Sequence, residues 1–166
     1  MKIAFITTAA VCAMAFASGP VAALETIPVL DLDIASRMAA GCEAKAVAEG
    51  WRMNIAIVDR GADLVVFHRM DNAFLGSGAI AISKATTSAR FPFSTRAVEG
   101  LAYGSGDTAA SIPGFSAVDG VIAFAGGLPI MAGGVQIGGV GVSGDTADHD
   151  EACAQAALDA VAGDLN

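Results

Sequence analysis

Residues 51–69 have the sequence WRMNIAIVDRGADLVVFHR, and this stretch predicts a β-hairpin. Apolar and polar residues alternate along 51–59 and again along 63–69, and many of them are β-branched, as in half-buried strands. The short connection Arg60-Gly61-Ala62 lets the chain turn back on itself. We therefore expect two antiparallel strands, around which the other elements are arranged.

Helical patterns flank the hairpin. Before it, apolar residues recur at helical spacing after the N-cap candidates Asp31 and Asp33, and Gly50 is the expected stop. After it, Ser77 can cap a helix that runs to about Arg90. Residues 91–119 are rich in Pro, Gly, Ser and Thr and predict a long, mostly irregular excursion. Such a long loop is unusual in a compact domain unless it serves a site.

The remaining sequence predicts three short strands and a closing helix. The β-rich runs 121–125, 128–131 and 135–143 are separated by glycine pairs. Glycines inside the last run, VQIGGVGVS, indicate a bulge or close packing against the backbone. Asp148 and Glu151 have the spacing of a capping box, and Gly163 is the expected end of that helix. The element order predicts one α+β domain with an antiparallel five-stranded sheet and flanking helices.

The first 23 residues have the pattern of a signal peptide. A cationic start at Lys2 is followed by an uncharged run over 3–17 and by small residues at Val21-Ala22-Ala23. The run is too short for a comfortable membrane span, although a retained N-terminal anchor is the alternative. We therefore expect a periplasmic or secreted protein whose mature domain covers residues 24–166, with no membrane contact after cleavage.

Composition narrows the possible partners and the redox state. Seventeen acidic and nine basic residues give a net charge of −8, which argues against nucleic acid as a partner. Cys12 leaves with the signal peptide, so Cys42 and Cys153 remain in an oxidising compartment and predict one disulfide. Two buried free thiols are the alternative, because cysteine also packs as a small apolar residue.

The densest polar cluster, residues 68–72, ends the second predicted strand. We expect a small pocket in which Arg69 and Lys84 hold carboxylates of a ligand while Asp71 orients Arg69. A structural ion pair between the turn and the next helix is the alternative. His68 shares a face with apolar residues and is either a satisfied or half-exposed histidine or a candidate iron ligand. The spacing of the sequence supports no catalytic nucleophile and no zinc cluster.

Four segments together resemble the GlcG/HbpS-like family, which includes the C-terminal domain of PduO. They are MNIAIVDRGADLVVFHRMDNA, SKATTSARF, GGLPIMAGGVQIGGVGVSG and DHDEACAQAAL, in the same order as in the family. The resemblance implies a profilin/PAS-like fold, assembly into dimers and larger rings, often octamers, and haem binding. The first predicted helix lacks the histidine that some haem-binding relatives supply there. By motif, the ligand-binding positions implied are Arg69, Met70, Asp71, Lys84, Thr87, Phe91, Gly126, Gly127 and Pro129.

The function that we infer from the sequence is an exported, homo-oligomeric small-molecule-binding protein, with haem or another anionic planar ligand and no covalent chemistry of its own. Gly126-Gly127 would offer backbone N–H groups to the ligand, and Phe91 would close the pocket. An enzyme that degrades haem or acts on a small hydroxy acid or aldehyde is one alternative, with His68 as its acid-base group. An accessory subunit of a periplasmic dehydrogenase is the other.

Overall fold

The structure, a computed structural model, describes residues 26–166. These residues fold into an antiparallel sheet with helices on both faces. The signal peptide predicted over 1–23 and Cys12 lie outside these residues. The element order is α1 (Leu32–Glu49), β1 (Asn54–Asp59), β2 (Leu64–Arg69), α2 (Ser77–Arg90), α3 (Thr95–Tyr103), a 3₁₀ turn (Phe115–Ala117), β3 (Gly127–Ala132), β4 (Val135–Ser143) and α4 (Ala147–Asp159).

The predicted hairpin is confirmed and forms one side of the sheet. The strand order is β2-β1-β4-β3, and every neighbouring pair is antiparallel. Asp59 fixes the hairpin turn, because its Oδ1 accepts hydrogen bonds from the N–H groups of Gly61 and Asp63. β1 lies in the interior of the sheet and is buried along its length except at Asp59.

Helices cover the two faces of the sheet differently. α1 and α4 pack on one face, over the β1 residues Ile55 and Ile57 and the β4 residues Val140 and Val142. On this side the disulfide Cys42–Cys153 joins α1 to α4, with a Cα–Cα distance of 4.7 Å, as predicted. α2 packs on the other face, where its alanines contact Ala56 and Val58.

The contact between α2 and β4 is close enough to exclude side chains from part of the strand. A Cβ at Gly139 would lie 2.3 Å from the Ala85 carbonyl oxygen, and one at Gly141 would lie 2.1 Å from the Ala81 carbonyl oxygen. The expectation that glycines in this strand allow a close approach of backbone is therefore confirmed.

The predicted five-stranded sheet is wrong, because the described residues form four strands. Residues 121–125 do not pair with a strand. Thr87 holds this segment to α2, since its Oγ1 accepts from the Ile122 N–H and donates to the Gly120 carbonyl. Gly126, with φ +117°, then turns the chain into β3.

The predicted irregular excursion contains a helix, and three helix boundaries differ from the prediction. Ser94 caps α3 within residues 91–119 by accepting from the Ala97 N–H. Gly76, not Ser77, precedes α2. Thr146, not Asp148, caps α4, and α4 ends at Asp159, before Gly163. Among the described residues, no helix is both long and apolar enough to cross a membrane.

Candidate functional site

A cleft lies where the end of β2 meets the C-terminal half of α1. Its volume is about 450 Å³. Two predicted site residues, Met70 and Asp71, line it from the β2–α2 turn. The other lining residues come from α1, from the segment before β1 and from the turn itself: Glu43, Val47, Arg52 and Asn72. The predicted polar cluster therefore borders a real cavity.

His68 contacts Glu43, one of the residues that line this cleft. The Nδ1 of His68 lies 2.8 Å from Oε2 of Glu43, and both side chains are partly exposed. A carboxylate can only accept a hydrogen bond, so Nδ1 carries the proton and Nε2 of the neutral ring keeps its lone pair. Histidines that bind metals commonly have this arrangement, in which a carboxylate fixes the tautomer and the ring orientation.

A second cavity of about 410 Å³ adjoins the cleft and shares Arg52 and Asn72 with it. Its remaining walls are Phe74 and residues around the start of α4, including Gly144 and Asp145. Asn72 adopts a left-handed conformation with φ +66°, which aims the β2–α2 turn between the two cavities. The two cavities together form a surface groove whose walls carry the carboxylates of Glu43, Asp71 and Asp145 and one cation, Arg52.

Lys84 lies in the interior of the protein. Its side chain has no exposed surface, and its Nζ donates to Asp150 Oδ2 at 2.7 Å and to the Val142 carbonyl at 2.9 Å. Burial lowers the pKa of Lys84 and raises the pKa of Asp150, while the hydrogen bond between them opposes both shifts. The ammonium also lies 4.6 Å from the centre of the Phe124 ring.

The structure does not bring Arg69 and Lys84 to a common surface. Arg69 is exposed on the edge strand β2, and alternation along the strand directs it to the face opposite His68. Among the described residues, no ion pair joins Arg69 to Asp71. Lys84 faces Asp150 instead, because α2 lies against β4 and the start of α4.

The glycines and Thr87 of the implied site have packing roles. The Gly127 N–H donates to Thr95 Oγ1 at 2.8 Å and so is not free for an anion. A Cβ at Gly126 would lie 2.6 Å from the Lys84 ammonium, so this glycine makes room for the ion pair. Thr87 anchors residues 120–122 to α2.

Phe91 and Pro129 lie away from the His68 cleft. Phe91 packs edge-on against Phe115, with ring centroids 5.0 Å apart. Pro129 lines a separate cavity of about 610 Å³ between β3 and the end of α4, together with Met131 and Leu158.

Sequence reasoning missed Glu43 and Arg52. Glu43 lies 25 residues from His68 and shows no local pattern that connects the two. Arg52 follows the end of α1 and stands in no motif. Asp148 and Glu151, which the sequence places in a capping box, form ion pairs with Arg96 of α3 instead. Among the described residues, no group of three or more His, Cys, Asp or Glu side chains could hold a metal ion.

Comparisons with known sequences identify related proteins. Residues 30–159 match the family described as "Haem degrading protein HbpS-like". A 15.0 kDa protein from the dhaT-dhaS intergenic region of Citrobacter freundii is 33% identical over 137 residues, which cover 81% of this chain and 94% of that protein. Protein GlcG of Escherichia coli K12 is 31% identical over 120 residues, which cover 72% of this chain and 85% of GlcG.

Solved structures have the same fold. Klebsiella pneumoniae ORFY has a TM-score of 0.79 and 30% identity, covering 87% of this chain and 98% of ORFY. A double mutant of Streptomyces reticuli HbpS has a TM-score of 0.74 and 30% identity, covering 86% and 97% of the two chains. A complex of PduOC with heme has a TM-score of 0.71 and 25% identity, covering 80% and 95%.

Proposed function

The chain belongs to the HbpS-like family, and on this premise we propose that it is an exported, homo-oligomeric protein that binds haem. The resemblance to the PduOC structure, which is a complex with heme, supports haem over other planar anions. Within this chain the observation that carries the proposal is the His68–Glu43 pair beside the cleft. The binding site that we propose is therefore the cleft between α1 and the β2–α2 turn.

The residues around the cleft fit a haem. A partly exposed imidazole with Nδ1 held by Glu43 has the donor chemistry of an axial ligand. The exposed Val47 would supply apolar surface for a porphyrin face, and the Arg52 guanidinium, whose Nη1 also donates to the Trp51 carbonyl, would hold a propionate carboxylate. Haem, when bound, supplies the redox and oxygen chemistry of its iron.

Each residue would have a separate task in binding. His68 would direct Nε2 towards the iron, and Glu43 would hold the Nδ1 proton so that Nε2 stays unprotonated. Arg52 would neutralise the carboxylate charge, which the net charge of −8 otherwise repels. Asp71 also lines the cleft, so the second propionate of the haem would point away from this carboxylate and towards solvent.

A spectroscopic titration tests the role of His68. We expect hemin to give a shifted Soret band with the wild-type protein and no such shift with His68→Ala. Glu43→Gln should weaken binding about tenfold, because outer-shell partners of metal-bound histidines typically contribute 10- to 100-fold in affinity.

His149→Ala is the matched control for this titration. Its Nδ1 also bonds a carboxylate, at 2.9 Å from Asp145 Oδ1, but its ring is stacked on Trp51 with centroids 4.4 Å apart. This variant should bind hemin as the wild type does. An unchanged Soret shift in His68→Ala would refute the proposed ligand, and a band that bleaches when reductant is added would favour the degrading enzyme.

The proposal of export rests on the sequence of residues 1–23 and on the disulfide. The Cys42–Cys153 bond is typical of an oxidising compartment, where such bonds persist. The intact mass of the protein purified from its native compartment should correspond to a chain that begins at Leu24. A mass that includes residues 1–23 would contradict the export of a cleaved product.

A further inference from the structure

A polar cavity at the turn of the β1–β2 hairpin has two arginines in its wall. Its volume is about 320 Å³, and its lining residues are Arg60, Ala89, Arg90 and Gln136. Arg60 belongs to the hairpin turn, Arg90 is the last residue of α2, and Gln136 lies near the start of β4. We propose that this cavity binds a phosphate-class oxyanion, either inorganic phosphate or the phosphate group of a small metabolite.

The two guanidinium groups have no carboxylate partner among the described residues. Of the other six Lys and Arg side chains of the described chain, Arg37, Lys45, Lys84 and Arg96 do have one, and Arg52 and Arg69 do not. Arg60 and Arg90 form neither an ion pair nor a side-chain hydrogen bond in the described part of the chain. The two positive charges that face this cavity repel each other, and a bound anion attracts both of them and so offsets that repulsion.

Several acceptors close to the arginines bond other donors, and the nearby Asp59 and Asp63 carboxylates form no ion pair with Arg60. Oδ1 of Asp59, next to Arg60, accepts from the N–H groups of Gly61 and Asp63. At the end of α2, carbonyl groups that could accept from Arg90 bond the Gln136 amide instead. Gln136 Nε2 donates to the carbonyls of Ser88, Ala89 and Phe91. The guanidinium donors are therefore available to a ligand.

The number of donors selects the class of ligand. A single guanidinium already satisfies one carboxylate by a bidentate contact, whereas a phosphate dianion has three terminal oxygens and a second charge that a second guanidinium can neutralise. The net charge of −8 repels anions from most of the surface, so binding here depends on these two side chains.

This cavity is separate from the proposed haem site. Arg60 follows the last residue of β1, whereas the cleft near His68 lies beyond the first residue of β1, where Asn54 pairs with Arg69. Six strand residues span roughly 20 Å. In addition, Arg90 belongs to α2 on one face of the sheet, and Glu43 belongs to α1 on the other. The oxyanion site does not depend on the proposed function.

Phosphorus NMR tests the proposal directly. Inorganic phosphate is titrated with the full chain at constant ionic strength, and the line width of its resonance reports binding. We expect saturable broadening with the wild type, and an affinity lowered at least tenfold in both Arg60→Gln and Arg90→Gln. Because both side chains are exposed, both variants should keep the wild-type melting temperature.

Arg69→Gln is the matched control, since it removes the same charge from an exposed arginine elsewhere on the sheet. It should leave phosphate affinity unchanged. The absence of saturable broadening with the wild type, or an equal loss of affinity in Arg69→Gln, would overturn the site. Hemin binding should persist in Arg60→Gln and Arg90→Gln, so failure of the haem proposal and failure of this one give different results.

Discussion

The Lys84–Asp150 ion pair connects α2 to α4, and both side chains are buried. The pair lies beside Gly126, the residue before β3. Asp150 also accepts hydrogen bonds from the N–H groups of Gly144 and Asp145, so the pair fixes the chain between β4 and α4. Loss of one partner would leave an uncompensated charge in the interior. Such a loss costs more than the intact pair contributes.

We expect Lys84→Met to lower the free energy of unfolding by about 3–5 kcal/mol, the typical cost of breaking a buried pair. Chemical denaturation at neutral pH measures the change. In the double variant Lys84→Met/Asp150→Asn no charge remains buried, and the asparagine oxygen can still accept from Gly144 and Asp145. At least half of the lost stability should return. Equal instability of the single and double variants would contradict this account.

Single residues also show how far the sequence could predict the site. Met70 and Asp71, from the polar cluster at the end of β2, line a cavity, and their role in ligand binding stays a prediction. Lys84 was expected beside Arg69, because the turn at Asp71 to Gly76 can fold the strand and the helix back so that both cations face one cavity. Its partner Asp150 lies 66 residues away, and no local pattern links the two.

Among the elements, the packing of α2 on β4 depends most directly on glycine. A Cβ at position 141 would meet the Ala81 carbonyl at 2.1 Å and the Ala85 nitrogen at 2.3 Å, so the helix would have to move away from the sheet. We expect Gly141→Ala to lower the free energy of unfolding by about 3 kcal/mol or more, at the upper end of overpacking costs. Thermal and denaturant unfolding measure the effect.

Gly100→Ala is the control for this substitution. Gly100 lies within α3, and a Cβ there would meet no atom within 4 Å. Alanine is the better helix former by about 1 kcal/mol, so this variant should be slightly more stable than the wild type. If Gly141→Ala kept the wild-type stability, the close packing of α2 on β4 would not be required for folding.

Elements with strong local patterns were predicted well, and those set by distant contacts were not. The hairpin and α1 follow from alternation and from the caps at Asp31 and Gly50. Residues 121–125 resemble a strand because they are apolar, but the Ile122 N–H donates to Thr87 Oγ1 and so attaches them to α2. The helix α3 was not predicted, because residues 91–119 are rich in glycine and proline, although Ser94 is an ordinary N-cap for it.

At the scale of the whole molecule, the disulfide bears on the stability of the single chain, and the surface bears on the association of its copies. The Cys42–Cys153 bond closes a loop across 111 residues and restricts the unfolded chain. The acidic surface makes copies of the chain repel one another, yet several large apolar side chains remain exposed. Six of them lie on the β2–α2 turn or within residues 93–118, namely Phe74, Leu75, Phe93, Tyr103, Ile112 and Val118.

These exposed apolar side chains support the proposal that the protein is an oligomer. Phe74 and Leu75 are 70% and 80% exposed at neighbouring positions, and burial of such residues is the usual driving force of subunit association. Sedimentation velocity at micromolar concentration should show an assembly larger than a dimer. Because the repulsion between acidic subunits is screened by salt, a higher ionic strength should strengthen the assembly. Phe74→Ser/Leu75→Ser should weaken it without unfolding the chain, whereas a wild-type monomer at every salt concentration would contradict the proposal.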